Sequence, residues 1–412
     1  MRSSSVIETE SRDRAEKNRA LPPSLHLQRI SLRTFRNYDS LLWQPGASIS
    51  VITGPNGAGK TNLLEAVSLL APGRGLRGAR LGELARRIPA EQAGTDGSWA
   101  VAGRFTHPRH GRIEVATGVL PEGSPKGLPG GGMERRVLRL DGQPASQAAI
   151  AERIAMVWLT PEMARLFHEG PAGRRRFLDR LVYALEPGHA RELAAYETAM
   201  SGRNRLLSRP DADRTWLAAI EESMARHAVA VAASRNLVLA RLSRISPAAA
   251  PGLPVAELAL TCPIAERLAR EPALTVEEWL TRALAERRSA DREAGGAGLG
   301  VHRSELAIRD AASGAAAVRA STGQQKALLL AVVLAHAALV AERRGVTPLL
   351  LLDEPIVHLD AARRGALLAI LAGHEAQILL TGTDAEPFRP LGGGAEMLRV
   401  GEGRLATLDH FA

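Results

Sequence analysis

Cysteine and aromatic residues are scarce in this sequence of 412 residues. The single cysteine, Cys262, excludes a disulfide bond within the chain and a zinc site built from cysteines, and it suits a reducing cytoplasm. Aromatic residues make up 3% of the chain, which argues against binding of nucleic acid by stacking of bases on aromatic rings. Any contact with nucleic acid is therefore expected to be made with the phosphate backbone.

Long apolar runs are also lacking. The longest covers residues 327–341, is interrupted by His336, and is shorter than the ~20 residues of a membrane-spanning helix. Residues 1–23 are charged and have no apolar stretch of the kind found in secretory signals. We therefore expect a disordered tail over residues 1–23, no membrane segment and a cytoplasmic location.

Lysine is rare, although the chain is basic. Lys and Arg together number 53 against 44 Asp and Glu, a formal net charge of +9. Lysine occurs only at Lys17, Lys60, Lys126 and Lys326. The charge is compatible with binding to nucleic acid, and equally with solubility alone. A lysine in such an arginine-rich chain indicates a role for a compact ammonium group that a planar guanidinium cannot fill.

Strand-like segments occur at both ends of the chain. They cover residues 25–32, 48–53, 98–140 (with a Gly/Pro-rich loop at 121–132), 347–352 and 376–380. The last two runs are continuously apolar, which is typical of parallel strands covered on both faces. Between these ends, residues 189–247 have the spacing of a helical hairpin or small bundle, and the glycine-rich stretch 294–300 is typical of a linker. The sequence therefore predicts an α/β core built from both chain ends, with a helical insert.

A phosphate-binding loop follows the strand at 48–53. Eight consecutive residues fit the pattern G-x-x-x-x-G-K-[ST], namely Gly54, Pro55, Asn56, Gly57, Ala58, Gly59, Lys60 and Thr61. The glycines let backbone N–H groups converge on phosphate oxygens, and the following helix adds the positive end of its dipole. Lys60 is predicted to bind the β- and γ-phosphates, and the Thr61 hydroxyl to bind Mg²⁺.

Two further motifs lie in the C-terminal part. The apolar run before Asp353 and Glu354 is predicted to bring Asp353 to a magnesium ion, with Glu354 as the catalytic base that polarises the attacking water. Ser321, Gly323 and Gln324 precede the apolar helix. A helix start of this kind is either a simple N-cap or a second anion site.

The order of these motifs resembles that of the ATP-binding-cassette ATPases, in which a segment like His358-Leu359-Asp360 follows the acidic strand. The long helical insert between Lys60 and Ser321 is similar to that of the chromosome-maintenance and DNA-repair branch. Within that branch the sequence closely resembles the RecF family. The residues that carry this resemblance are Leu32-Arg33-Thr34-Phe35-Arg36-Asn37-Tyr38, Gly59 to Ala66, Thr160-Pro161-Glu162, Gly173 to Asp179, Tyr196, Arg203-Asn204, Val301 to Leu306 and Thr381-Gly382-Thr383-Asp384.

The resemblance implies an ABC-type ATPase head, an α/β fold with a mixed sheet and flanking helices. The head would comprise residues 24–186 and 300–412, and the inserted helical domain residues 187–299. ATP and Mg²⁺ are the implied ligands, with Asn37 and Asn62 among the ATP-binding residues and Asp353 and Thr61 at the metal. Two heads would enclose two ATP molecules, and Ser321, Gly323 and Gln324 of one head would face the phosphates held by the other.

The resemblance also implies a function in DNA replication and recombinational repair. An ATP-dependent homodimer would hold duplex DNA near gaps and help recombination mediator proteins to load the RecA recombinase, and slow, DNA-stimulated ATP hydrolysis would release the DNA. Arg174, Arg175 and Arg176 are candidate DNA contacts, although they also begin an amphipathic helix whose charged face can simply be solvated. The alternatives are the ATPase subunit of a membrane transporter, which the long insert disfavours, and a nucleotide-gated scaffold that does not hydrolyse ATP.

Two positions depart from the pattern of the family. Its members commonly have Asp-Asp followed by Ser-Glu-Leu-Asp, whereas this chain has Asp353-Glu354 followed by Val357-His358-Leu359-Asp360. Glu354 retains a carboxylate that can act as a base, but its side chain is one methylene longer, so the hydrolysis rate does not carry over from the family. Thr381 lies where transporters have a switch histidine.

Overall fold

The computed structural model describes residues 23–86, 97–120 and 136–408. The predicted tail, apart from Pro23, and the predicted Gly/Pro-rich loop at 121–132 lie outside the described residues. The strands are β1 (His26–Phe35), β2 (Tyr38–Trp43), β3 (Ile49–Thr53), β4 (Trp99–His107), β5 (Gly111–Val119), β6 (Val137–Leu140), β7 (Gln143–Pro144), β8 (Met156–Leu159), β9 (Ala256–Thr261), β10 (Glu305–Asp310), β11 (Leu349–Leu352), β12 (Ile378–Gly382), β13 (Ala395–Gly401) and β14 (Arg404–Thr407).

The described ranges contain eleven α-helices. They are α1 (Lys60–Ser68), α2 (Leu81–Leu84), α3 (Gln147–Arg153), α4 (Pro171–Tyr183), α5 (His189–Leu207), α6 (Arg214–Ala249), α7 (Pro263–Leu268), α8 (Ala273–Glu286), α9 (Arg288–Glu293), α10 (Thr322–Arg344) and α11 (Ala361–Ala372). Five of them, α5 to α9, lie within residues 187–299.

The central sheet combines strands from both ends of the chain. Its order is β14-β13-β3-β12-β11-β8, and β13, β3, β12, β11 and β8 run parallel while β14 is antiparallel. All residues of β3, β11 and β12 are buried, because both faces of the sheet are covered. The predicted α/β head fold built from both chain ends is confirmed.

A second, antiparallel sheet lies beside the central one. Its order is β2-β1-β4-β5-β6-β7, and buried residues alternate with exposed or half-buried ones along β4 and β5. This alternation is expected when one face packs on a core and the other faces solvent. The buried face packs on α1, whose Leu63 and Val67 also contact Leu351 and Leu379 of the central sheet in one hydrophobic cluster.

Helix α10 covers the opposite face of the central sheet. Its apolar residues form one hydrophobic cluster with Leu350 and Leu380 of β11 and β12. Among the described helices, α10 alone is long and apolar enough to cross a membrane, and 89% of its most apolar window is buried inside the protein. A core helix packed against a sheet has these same properties.

The insert is attached to the head by a strand as well as by helices. Helix α5 packs on α6, which is 36 residues long and also contacts α8 and α10. Strand β9 pairs antiparallel with β10, so that Thr261 lies opposite Glu305. Helical spacing in the sequence did not predict this two-stranded sheet, because the pairing joins segments more than 40 residues apart.

Two buried ion-pair networks join the helices that precede β10. Arg235 of α6 donates from Nε and Nη2 to the two carboxylate oxygens of Asp179 in α4, both at 2.9 Å. Arg203 of α5 donates to Glu221 at 2.9 Å and to Asp291 at 2.7 Å. Both arginines are fully buried, so each needs these carboxylates to offset the loss of water around its charge.

Candidate nucleotide-binding site

The phosphate loop connects β3 to α1 and depends on its glycines. Gly54, Gly57 and Gly59 have φ angles of 144°, 81° and 111°, in the region where residues with a Cβ are strained. A Cβ on Gly54 would lie 2.5 Å from the carbonyl oxygen of Val400 in β13, and one on Gly59 would overlap the side chain of Asn37. A Cβ on Gly57 would meet nothing within 4 Å, so the loop is open on that side.

Lys60 begins α1 and turns its ammonium group back over the loop. Its Nζ donates to the carbonyl oxygens of Gly54 at 2.8 Å and Pro55 at 3.0 Å, and the residue is buried. The loop carbonyls hold the cation in place beside the N-terminus of α1. Positive charge from the ammonium and from the helix dipole is therefore concentrated at one point.

Thr61, Asp353 and Thr381 meet through one carboxylate oxygen. The Thr61 hydroxyl donates to Oδ1 of Asp353 at 3.0 Å, and the Thr381 hydroxyl donates to the same atom at 2.6 Å. The Thr381 oxygen in turn accepts the backbone N–H of Glu354 at 2.8 Å. Three separate segments, α1, the end of β11 and the end of β12, are thus connected within a few ångströms.

Burial raises the pKa of Asp353, and the nearby charge of Glu354 adds to the increase, against the hydrogen bonds from Thr381 and Thr61. A carboxylate whose charge is poorly solvated is stabilised by a cation. Carboxylate and hydroxyl oxygens are also the protein ligands that Mg²⁺ takes when substrate phosphates supply others. Asp353 and Thr61 therefore fit the predicted metal site, and Gly54–Thr61 fits a triphosphate.

The S-x-G-Q motif forms the start of α10. Ser321 is the N-cap: its hydroxyl accepts the N–H of Gln324 at 3.3 Å, and Gln324 Oε1 accepts the N–H of Ser321 at 3.0 Å. Ser321 and Gln324 are exposed. Each of the two side chains accepts the backbone N–H of the other residue, and neither is bonded to the phosphate loop of the same chain.

The same motif contacts the segment after β11 in its own chain, which contains the predicted base Glu354. A Cβ on Gly323 would lie 2.5 Å from the carbonyl oxygen of His358, so the two backbones are in close contact. Lys326 donates from Nζ to the carbonyl oxygen of Glu354 at 2.5 Å. Glu354 and His358 both have positive φ angles, 49° and 68°, so α10 supports a segment with a strained backbone.

Burial lowers the pKa of Lys326 to about 8, although the charges of Glu354 and Asp353 oppose the decrease. Lys326 is one of the four lysines of the chain. Its contact with the backbone of the predicted base gives it a position in the site that the sequence did not predict. The rarity of lysine in the sequence was the feature that could have indicated this role, because two of the four lysines are Lys60 and Lys326.

Asn37 lies behind the phosphate loop. Its Nδ2 donates to the carbonyl oxygen of Ala58 at 2.9 Å, and its Oδ1 accepts from Nδ2 of Asn62 at 2.8 Å. The Tyr38 hydroxyl donates to the carbonyl oxygen of Gly59 at 2.9 Å. These bonds hold the loop in shape, so in this structure Asn37 and Asn62 are positioned as supports of the loop.

The three consecutive arginines of α4 differ in their surroundings. Arg174 is paired with Glu305 at 2.5 Å, and Arg175 donates to the carbonyl oxygen of Ser304 at 3.0 Å. Both are half-buried at the junction with β10. Arg176 is largely exposed and lies 3.6 Å from Glu169. Two of the three candidate DNA contacts are therefore occupied by partners within the chain.

An ATPase head of the ATP-binding-cassette type is the class of protein that this fold and site define. The family model described as RecF/RecN/SMC N terminal domain matches residues 26–398. The DNA replication and repair protein RecF of Mesorhizobium japonicum is 43% identical over 394 residues, covering 94% of this chain and 100% of the relative. The RecF of Caulobacter vibrioides is 40% identical over 395 residues and covers 94% and 99%. The chain belongs to the RecF family of DNA replication and repair proteins.

Solved structures agree on the fold. The structure of the recombination mediator protein RecF-ATPrS in the RecFOR pathway has a TM-score of 0.79 at 22% identity and covers 94% of this chain and 100% of that one. An Smc head bound to the C-winged helix domain of ScpA has a TM-score of 0.53 at 16% identity, with coverage of 93% and 98%. These likenesses establish that the RecF and Smc heads share this fold.

Proposed function

We propose that this protein is an ATP-dependent DNA-binding protein of replication and recombinational repair, with weak, DNA-stimulated ATPase activity. The observation that carries the proposal is the meeting of Thr61, Asp353 and Thr381 at one carboxylate oxygen beside the glycine-rich loop. Membership of the RecF family is the reason for proposing DNA as a ligand and repair as the process in which the protein acts.

Each residue of the site has one task in the proposed reaction. Lys60 and the N–H groups of residues 54–61 bind and orient the phosphates. Thr61 and Asp353 would hold Mg²⁺, which when bound neutralises charge on the phosphate oxygens. Glu354 takes the proton of the attacking water. Thr381 and Lys326 hold the backbone of Glu354 at its N–H and its carbonyl.

The exposed S-x-G-Q motif supports a dimeric mechanism. Ser321, Gly323 and Gln324 of one head would complete the site at the phosphates held by its partner, so that ATP joins two heads and hydrolysis separates them. The joined heads would hold duplex DNA, near gaps, and work with recombination mediator proteins to load RecA. The related RecF structures are those of a recombination mediator protein in the RecFOR pathway, which is the reason for proposing these partners.

The replacement Lys60→Arg tests the assignment of the loop. The variant is expected to bind ATP but not to turn it over, because a planar guanidinium cannot take the place of the compact ammonium. Nucleotide binding and phosphate release would be measured with and without duplex DNA, beside the control Arg226→Lys at an exposed position of α6. Unchanged DNA-stimulated hydrolysis in Lys60→Arg would show that the loop is not the catalytic site.

The replacement Ser321→Arg tests the dimer. A long cation at the helix N-terminus is expected to prevent ATP-dependent dimerisation, measured by sedimentation with and without ATP. Ser208→Arg, at an exposed serine that follows α5, is the matched control and should dimerise like the wild type. A Ser321→Arg protein that dimerises normally would rule out the shared site.

A further inference from the structure

The outward face of the antiparallel sheet is rich in arginine. We define the arginine face as Arg29 and Arg33 of β1, Arg104 of β4, Arg112 of β5 and Arg139 of β6. All five side chains are exposed or half-buried, whereas the residues that alternate with them, such as Ile30, Leu32 and Phe105, are buried.

The register of the sheet places these arginines on the same side. Arg29 lies opposite Arg104, and Arg104 lies opposite Glu114 on the next strand. One step along, Ser31, Ala102, Ala116 and Arg139 form a row across four strands. Since directly paired residues share a face of a sheet, the five arginines face a single surface.

Most of this positive charge has no partner in the chain. Of the five, only Arg104 forms an ion pair among the described residues, with Glu114 at 2.7 Å. Arg29, Arg33, Arg112 and Arg139 form no side-chain hydrogen bond or ion pair within the described ranges. The hydrogen bond from Arg104, and then the charges of Arg104, Arg112 and Arg29, lower the pKa of Glu114, so several cations surround one carboxylate.

The shape of the face suits a wide, rod-like ligand. Small residues occupy the positions between the arginines, namely Ser31, Ala100, Ala102, Ala116 and Gly118, so the guanidinium groups stand above a flat surface. At ~3.4 Å per residue and ~4.8 Å between strands, the arginines span roughly 14 Å in each direction. Duplex DNA carries one phosphate charge per ~1.7 Å of axis, so several phosphates would lie over such an area.

We propose that the arginine face binds the phosphate backbone of duplex DNA, an inference that rests on the proposed function and assigns its DNA site to this sheet. Its contacts are independent of base sequence, because guanidinium groups on a flat sheet reach phosphates and not base edges. The absence of aromatic side chains from the positions named above favours the duplex over single strands, which are commonly bound by stacking. Arg174 and Arg175 of α4 are less available for this role, because Glu305 and the Ser304 carbonyl already bind them.

The test compares two variants with the same change of charge. One replaces Arg29, Arg33, Arg112 and Arg139 with alanine. The control replaces Arg205, Arg209, Arg214 and Arg226, four exposed arginines of α5, α6 and the loop between them. Binding to a fluorescent duplex would be measured with ATP at several salt concentrations. ATP binding and circular dichroism would verify that each variant is folded.

The arginine-face variant is expected to bind duplex at least tenfold more weakly at about 100 mM salt. The slope of log affinity against log salt should be smaller in magnitude by roughly 3.6, because four phosphate contacts are lost at about 0.9 each. The control should bind like the wild type. Glu114→Gln, which removes the acid and frees Arg104, should instead bind more tightly.

Three outcomes would count against the proposal. Equal losses in the arginine-face variant and the control would overturn it. Unchanged DNA binding by the arginine-face variant, with loss of its binding to phosphatidylglycerol vesicles, would assign the face to a membrane instead. A wild-type protein that binds ATP but no duplex would overturn the proposed function itself, which distinguishes that failure from failure of this inference.

Discussion

Asp353 is a buried carboxylate that accepts hydrogen bonds from two threonine hydroxyls. Its pKa is raised by burial, so its contribution to stability is present below the pKa of the unfolded chain and is lost as the pH rises through the folded pKa. In its ionised form the side chain therefore destabilises the fold when no cation is bound. The same residue is well suited to bind a cation, because the cation removes this penalty.

The replacement Asp353→Asn is expected to separate stability from activity. The amide oxygen can still accept both threonine hydroxyls, and the buried charge is gone, so the free energy of unfolding of the nucleotide-free protein should rise by on the order of 1 kcal/mol. Mg²⁺-dependent ATP hydrolysis should be lost. Urea unfolding and phosphate release would measure the two effects, with exposed Asp211→Asn as control. A destabilised Asp353→Asn protein would contradict the argument.

Lys326 gives a prediction of the opposite pH dependence. Its pKa is lowered to about 8 in the folded protein, whereas the unfolded value is about 10.4. Between these values the unfolded chain holds more protons, so this group makes the free energy of unfolding rise with pH. The difference in unfolding midpoint between wild type and Lys326→Met should therefore change in favour of the wild type from pH 8 to pH 10. A difference that is constant with pH would show that Lys326 is not perturbed.

At the scale of elements, α10 and the segment after β11 are held together by a backbone contact. Gly323 allows this contact, because any side chain at that position would meet the carbonyl group of His358. The exposed S-x-G-Q motif and the segment that carries the predicted base Glu354 are therefore in direct contact. A partner that contacts Ser321 would act on the position of Glu354 through a path of two or three residues.

Replacing two glycines by alanine should have different effects on ATP hydrolysis. Gly323→Ala is expected to displace the start of α10 from His358 and to reduce ATP hydrolysis about tenfold or more, as a misplaced catalytic group does. Gly365 lies within α11, where a Cβ would meet nothing within 4 Å, so Gly365→Ala should leave hydrolysis unchanged and stabilise the protein by roughly 0.5–1 kcal/mol. Equal activity of the two variants would show that the Gly323 contact does not position the base.

The sequence predicted those parts of the site whose residues are contiguous. The phosphate loop, the apolar strand before Asp353 and the apolar helix α10 each carry a local pattern. The structure has them as a loop, a strand and a helix, respectively. The hydrogen bonds of Thr381, Lys326 and Asn37 in the site join residues 21 to 28 positions apart in the sequence. Such pairings depend on the folded topology. For the same reason the sequence could not reveal that Arg174 is paired with Glu305, 131 residues later.

At the scale of the whole molecule, the buried pair Asp179 and Arg235 joins α4 to α6. Arg235 also donates to the carbonyl oxygen of Val301 at 2.9 Å, in the 3₁₀ helix Val301–Arg303 that leads into β10. The insert and the C-terminal part of the head thus share one buried cation. Movement of α6 relative to β10 would break the bond from Arg235 to the Val301 carbonyl.

Breaking this pair should be costly. Arg235→Met leaves Asp179 buried and charged beside His189, so the free energy of unfolding should fall by roughly 3–5 kcal/mol. The double variant Asp179→Leu/Arg235→Met removes both charges and should recover a large part of that loss. Denaturant unfolding of the two single variants and the double variant would measure the coupling. Additive losses would contradict a direct interaction.

The interleaved order of the central sheet also constrains how the protein is made. Strands β1 to β7 are synthesised first. All of them except β3 belong to the antiparallel sheet, whereas β3 belongs to the central sheet. Strand β3 has to wait for its neighbours β12 and β13, which are synthesised more than 300 residues later. At about 5–20 residues per second, the delay is on the order of tens of seconds. During that interval the apolar strand before the phosphate loop lacks these neighbours, so newly made chains are expected to depend on chaperones until β12 and β13 have been synthesised.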